Sequence, residues 1–190
     1  MFILFFVILC LFLLALPFVI NSSQKEKNIV KWAQKFSNVQ YAYSILKAQS
    51  EDENVNLMSS ISQYKLEQFL RVKTKVGPSY KPQFMNRYLK KDLYTFDKFY
   101  ENESGIVIGF KWINPKCESH EICAVMAIDI NGEKTPNVWG KDIFGINVYQ
   151  DGIEPVGKEL SLNEMKKDCS RKGTGLACSA YYMIGGLIGK

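Results

Sequence analysis

Residues 1–20 of this 190-residue chain carry no charged side chain, and that run constrains the fold more than any other stretch. From Phe2 to Ile20, sixteen of nineteen residues are Leu, Ile, Val or Phe. At roughly −0.3 to −0.6 kcal/mol each, they sum to an insertion term of roughly −5 to −10 kcal/mol. Such a run is long and apolar enough for a transmembrane helix over 1–20. A secretory signal peptide is the competing reading. Against it, the run exceeds an ordinary h-region, no basic residue precedes it and no small-x-small cleavage site follows. All 24 basic and 19 acidic residues fall after residue 20, giving the remainder the charge content of a water-soluble domain. With one long apolar run and 13% aromatic residues, collagenous, wholly disordered and multi-span classes are excluded.

The segment 21–50 continues as a second kind of helix. Ile29, Trp32, Phe36, Val39, Tyr43 and Leu46 recur at alternating spacings of three and four with polar residues between them, which is one apolar stripe. No Gly or Pro interrupts residues 18–50, so the spacing predicts one rod running through both segments, bent near Pro17. The stripe barely reaches three heptads, so it is expected to pack on the chain's own sheet rather than in a free coiled coil. Residues 51–92 read as a polar loop, a weaker helix carrying Ile61, Tyr64, Phe69 and Val72, and an irregular connection from Gly77. Residues 93–190 read as antiparallel sheet, with strands expected at 93–99, 105–113, 122–130 and 143–150 and turns at Asn131-Gly132 and Asp151-Gly152. The apolar run Tyr181 to Ile188 is too short to span a membrane and is expected as a core strand or short helix.

Two charge signals conflict over orientation. Lys25, Lys27, Lys31 and Lys35 follow the apolar run, which would place the body in the cytoplasm by the positive-inside tendency. Four cysteines in the soluble part, Cys117, Cys123, Cys169 and Cys178, are closely spaced and even in number, which reads as two disulfides and an oxidising compartment. Four cysteines permit three connectivities. Residues 21–91 hold 13 basic and 5 acidic side chains, net +8, and residues 92–190 hold 11 and 14, net −3. That basic half is the composition of a solvated face beside anionic lipid, so nucleic acid is not expected as a partner.

The densest cluster of hard oxygen atoms lies between the last two predicted strands. Asp129, Asn131, Asn137 and Asp142 are candidate calcium ligands, because calcium takes carboxylate, amide and carbonyl oxygens in flexible geometry. Gly132 comes too early for an EF-hand loop, and the competing reading is that Asp and Asn cap tight turns. The single histidine, His120, lies between Cys117 and Cys123, where zinc would lack a fourth ligand and a catalytic thiol would need a free cysteine. A disulfide-closed hairpin with His120 at its tip is expected instead. Without a second histidine, a recognisable acid–base pair or a phosphate-cradling glycine loop, no enzymatic activity and no small-molecule substrate is expected.

Ala15-Leu16-Pro17-Phe18-Val19-Ile20-Asn21, Tyr43-Ser44-Ile45-Leu46-Lys47-Ala48, the Asp129 to Phe144 stretch and the Cys169 to Cys178 loop together resemble type IV pilin-like proteins and pseudopilins. The resemblance touches both ends of the chain, and residues 49–104 lie outside it. It implies an α+β fold, with a long N-terminal helix half in the membrane, packed on an antiparallel sheet and followed by a disulfide-closed loop. It also implies a structural subunit of a pilus-like or type II secretion filament, anchored by a single pass in the inner membrane with its body outside the cytoplasm. Its partners would be the membrane and other pilin-like subunits. The family's leader peptide and its Phe-Thr-Leu-x-Glu motif do not occur in this sequence. If Pro17 corresponds to the family's helix-kinking proline, that motif falls immediately upstream of Met1, and the leader would supply the positive charges that settle the orientation. The alternative is a membrane-anchored binding module, for a surface ligand or DNA, that does not polymerise.

Overall fold

A computed structural model describes residues 2–52, 70–77, 79–89, 96, 99–114 and 120–186, with the side chains of 2–22 and 50–52 outside that description. The first element, α1, is one helix from Phe2–Asp52, about 75 Å long at 1.5 Å per residue. It runs through Pro17 without interruption and ends two residues beyond the sequence expectation. The run 2–20 that carries the membrane expectation contributes helical backbone to α1. Among the described residues no helix is long and apolar enough to cross a membrane.

Six strands follow: β1 (Val72–Lys75), β2 (Phe99–Asn102), β3 (Val107–Trp112), β4 (Ala124–Asp129), β5 (Ile143–Val148) and β6 (Ile153–Pro155). They form one antiparallel sheet in sequence order. Two short helices complete the described chain, α2 (Leu162–Asp168) and α3 (Cys178–Met183). The fold class is therefore α+β, as the sequence implies.

Side chains alternate across the sheet with period two, and both faces are covered. Met126, Ile128, Phe144, Ile146 and Val148 meet Trp32, Phe36 and Tyr43 of α1, while Val107, Val125, Ala127 and Ile143 meet Val76, Tyr80, Trp139, Val156 and Leu176. This is why every residue of β4 and β5 is buried. The six stripe residues of α1 all pack on the first face, three fully and Ile29, Val39 and Leu46 partly. Polar contacts fix the helix to the body between Asn28 and Tyr43. Asn28 Nδ2 donates to the Lys141 carbonyl at 3.0 Å, Trp32 Nε1 to that of Ser179 at 2.9 Å, and the Tyr43 hydroxyl to those of Tyr149 and Gln150.

Two sequence expectations shift. Val72 was placed in a helix but opens β1, after a turn in which Arg71 takes a positive φ of 51°. Helical continuity fails there because β1 pairs with β2 at the sheet edge. Of the strand expected at 93–99, Phe99 opens β2 and Phe96 lies outside any strand, while 93–95 and 97–98 lie outside the described residues, as do 53–69 and so the rest of the predicted weaker helix. Of the apolar run expected as a core strand or short helix, residues 181–183 lie in α3 and 184–186 form the turn after it, with 187–190 outside the description.

Cys169 and Cys178 form a disulfide across nine residues. Cys123 is also disulfide-bonded, and Cys117 lies outside the described residues. Inside the C-terminal loop, Asp168 accepts from the Thr174 N–H and hydroxyl at 2.8 and 2.7 Å and from the Ala177 N–H at 2.9 Å. Replacing both Cys169 and Cys178 with Ala should cost about 2–3 kcal/mol, the loop-closure entropy returned to the unfolded chain. Thermal melts of the oxidised chain and the double variant measure this, and equal midpoints would show that Asp168 alone holds the loop.

Candidate functional site

The turn between β4 and β5 is where the sequence concentrated its oxygen atoms, and the fold brings all four candidate residues together. Asp129 ends β4 on the face away from α1, with its carboxylate 1% exposed residue-wide, and Asp142 precedes β5 fully buried. The Asn131 N–H donates to Asp129 Oδ1 at 3.1 Å, and the Tyr80 hydroxyl donates to Oδ2 at 2.7 Å. Asp142 gathers the other side of the turn. Its Oδ1 accepts from the Val138 N–H at 2.7 Å, and its Oδ2 accepts from the Asn137 N–H at 3.0 Å and from Asn131 Nδ2 at 3.2 Å.

The local conformation follows from these bonds. Asn137 sits in the left-handed region at φ 48°, which asparagine tolerates better than most residues, directly after the cis Thr135-Pro136 bond. Gly140, at φ 75°, lies so close to Cys178 Sγ and the Gly175 carbonyl that a Cβ would collide with both. The turn is thereby tied to the C-terminal disulfide loop.

Two carboxylates share this buried turn with no cation beside either among the described residues. Burial drives the Asp129 carboxyl up to about 7, with the Asp142 charge adding to the rise, against the lowering effect of Tyr80, Asn131 and Gly132. Burial also raises Asp142, opposed by the Val138, Asn137 and Asn131 donors. Burial and the Asp129 charge push the Tyr80 phenol well above its ordinary range.

The carboxylate oxygens are already used as acceptors, so the turn-capping role read from sequence is realised in full. Two oxygens are not used: Asn131 Oδ1 and Asn137 Oδ1 are buried without a hydrogen-bond partner. The Asn131 amide is fixed in orientation, because turning its oxygen toward Asp142 would set two acceptors face to face. Two buried acids and two unsatisfied amide oxygens form a hard-oxygen donor set that suits calcium. Among the described residues no three His, Cys, Asp or Glu side chains converge, so amide oxygens would have to supply part of any coordination shell.

His120 is exposed at a turn with φ 73°, beside the disulfide-bonded Cys123. Sequence reasoning missed Tyr80, Asp168 and Ser179. The Ser179 carbonyl takes the Trp32 N–H while its hydroxyl takes the Gly145 N–H at 2.8 Å. No periodicity or motif marks them: Tyr80 and Ser179 act on partners distant in the chain, and Asp168 acts on backbone and hydroxyl groups of its own loop. No protein-family model, curated protein or solved structure matches this chain.

Proposed function

We propose that this chain is a structural subunit of a pilin-like filament, of the type IV pilus or type II secretion kind, held before assembly in the inner membrane by residues 1–20 with its body outside the cytoplasm. The observation that carries this reading is the division of labour along α1. Among the described side chains, contacts with the body run from Lys25 and Asn28 to Lys47, while helical backbone extends 23 residues further toward the N-terminus, about 35 Å at 1.5 Å per residue. That N-terminal half has the composition of a membrane helix and, in a filament, of the helical core between subunits.

The lower half of α1 supplies a second supporting feature. Its apolar stripe is spent on the chain's own sheet, so neighbouring subunits would have to use the opposite side. There Val30, Gln34, Ser37, Tyr41 and Ser44 are all exposed, at spacings of four and three, and none is charged. Val30 is 58% and Tyr41 70% exposed, large apolar surface for a solvated helix face. The β4–β5 turn serves the body's rigidity in this reading, and Asp129, Asp142, Asn131 and Asn137 are the residues that would hold a calcium ion there.

Single cysteines at Val30, Ser37 and Ser44, treated with a bis-maleimide in membranes, should give ladders of dimers, trimers and higher species above the parent chain's background. Monomers alone at all three positions would sink the filament reading and leave the anchored, non-polymerising binding module in its place.

A further inference from the structure

At the N-terminal end of the described side chains of α1, a cleft of about 960 Å³ opens between the helix and the loops around residues 86, 141 and 171. Four of its lining residues are cationic: Lys25, Arg87, Lys141 and Arg171. Among the described residues no acidic side chain lines it, and none of the four has a carboxylate within 4 Å. Tyr182 forms part of the wall, with the Lys25 ammonium 5.7 Å from its ring centre, and Tyr88 stands at the rim 94% exposed.

Unpaired cations gathered in one concavity repel one another and favour an anion. The place of the cleft along α1 selects which anion. Lys25 lies five residues beyond Ile20, about 7.5 Å along the helix axis. A bilayer's headgroup layer adds roughly 5–8 Å on each side of the hydrocarbon core. If residues 1–20 span the core, the cleft mouth meets the lipid phosphates, where an exposed tyrosine is also at home. We propose that this cleft binds the phosphate headgroup of an anionic lipid, and so seats the body on the membrane surface before assembly. This rests on the membrane-anchor reading above.

The test uses the full chain in neutral detergent, titrated with short-chain phosphatidylglycerol and followed by thermal midpoint. Phosphatidylglycerol should raise the midpoint at concentrations where phosphatidylcholine does not. Arg87→Gln with Arg171→Gln should weaken that response about 25-fold, taking about fivefold for each removed charge at a lipid surface. Arg87→Lys with Arg171→Lys should restore most of it. Arg87 and Arg171 are both exposed in the free protein, so an unchanged midpoint without lipid verifies that the variants fold. Equal responses to both lipids overturn the proposal. An equal response to inorganic phosphate, or a stronger one to a DNA duplex, also overturns it by assigning the cleft to another anion. Alkaline extraction of membranes keeps the two readings apart. A chain that resists extraction yet shows no preference for phosphatidylglycerol loses only the lipid site, whereas one that is released loses the anchor.

Discussion

Trp32→Ala should lower the stability of the chain by about 4–5 kcal/mol, the upper end for removing a fully buried tryptophan. Its ring is 0% exposed, stacks on Phe144 at 4.9 Å and 16°, and meets Phe36 edge-on at 5.6 Å. The substitution opens a large cavity between helix and sheet and leaves the Ser179 carbonyl without the Trp32 N–H. For a body of this size each kcal/mol lowers the thermal midpoint by about 2–4 °C, so a fall of about 8–20 °C is expected. Trp32→Phe keeps most of the ring burial and loses the donor, and should cost about half as much. Tyr43→Phe removes only hydroxyl bonds to the Tyr149 and Gln150 carbonyls and should cost about 1 kcal/mol, plus any penalty of leaving them unpaired. Near-equal midpoints for Trp32→Ala and the parent chain would mean that α1 is not seated on the sheet.

That ranking could be drafted from the sequence only in part. The stripe from Ile29 to Leu46 was legible because a helix packed on one face must repeat its apolar residues at three and four. β4 and β5 were legible for a related reason: both their faces are covered, so they read as continuous apolar runs closed by Asn131-Gly132 and Asp151-Gly152. β1 was not, because Val72–Lys75 lies at the sheet edge with three of four residues exposed and so has no buried face to imprint a pattern. β6, three residues long, is below the length at which periodicity carries information. The oxygen cluster at Asp129 and Asp142 was visible as composition. Its chemistry was not, because the hydroxyl that completes it comes from Tyr80, 49 residues away.

That cluster should make the body's stability fall as pH rises, opposite to the usual carboxylate behaviour. Asp129 has a folded-state pKa of about 7, above its unfolded value of about 3.9. The folded chain therefore holds a proton that the unfolded chain has released, between about pH 4 and pH 7. The associated stability is present in full below pH 4 and lost as pH rises through 7, up to about 4 kcal/mol in all. Asp142 is raised by the same burial and acts in the same direction. Thermal midpoints of the chain in the presence of a chelator should accordingly drop by several degrees between pH 5 and pH 8, and Asp129→Asn should flatten that slope. A proton and a divalent cation are alternative ways to neutralise two buried acids, and only the cation also satisfies Asn131 Oδ1 and Asn137 Oδ1. Calcium at pH 8 should then restore the midpoint lost with the proton, in the parent chain and not in Asp142→Ala. A slope without rescue would leave the turn as a proton-neutralised cap, and a flat profile in chelator would contradict the burial of an unpaired Asp129.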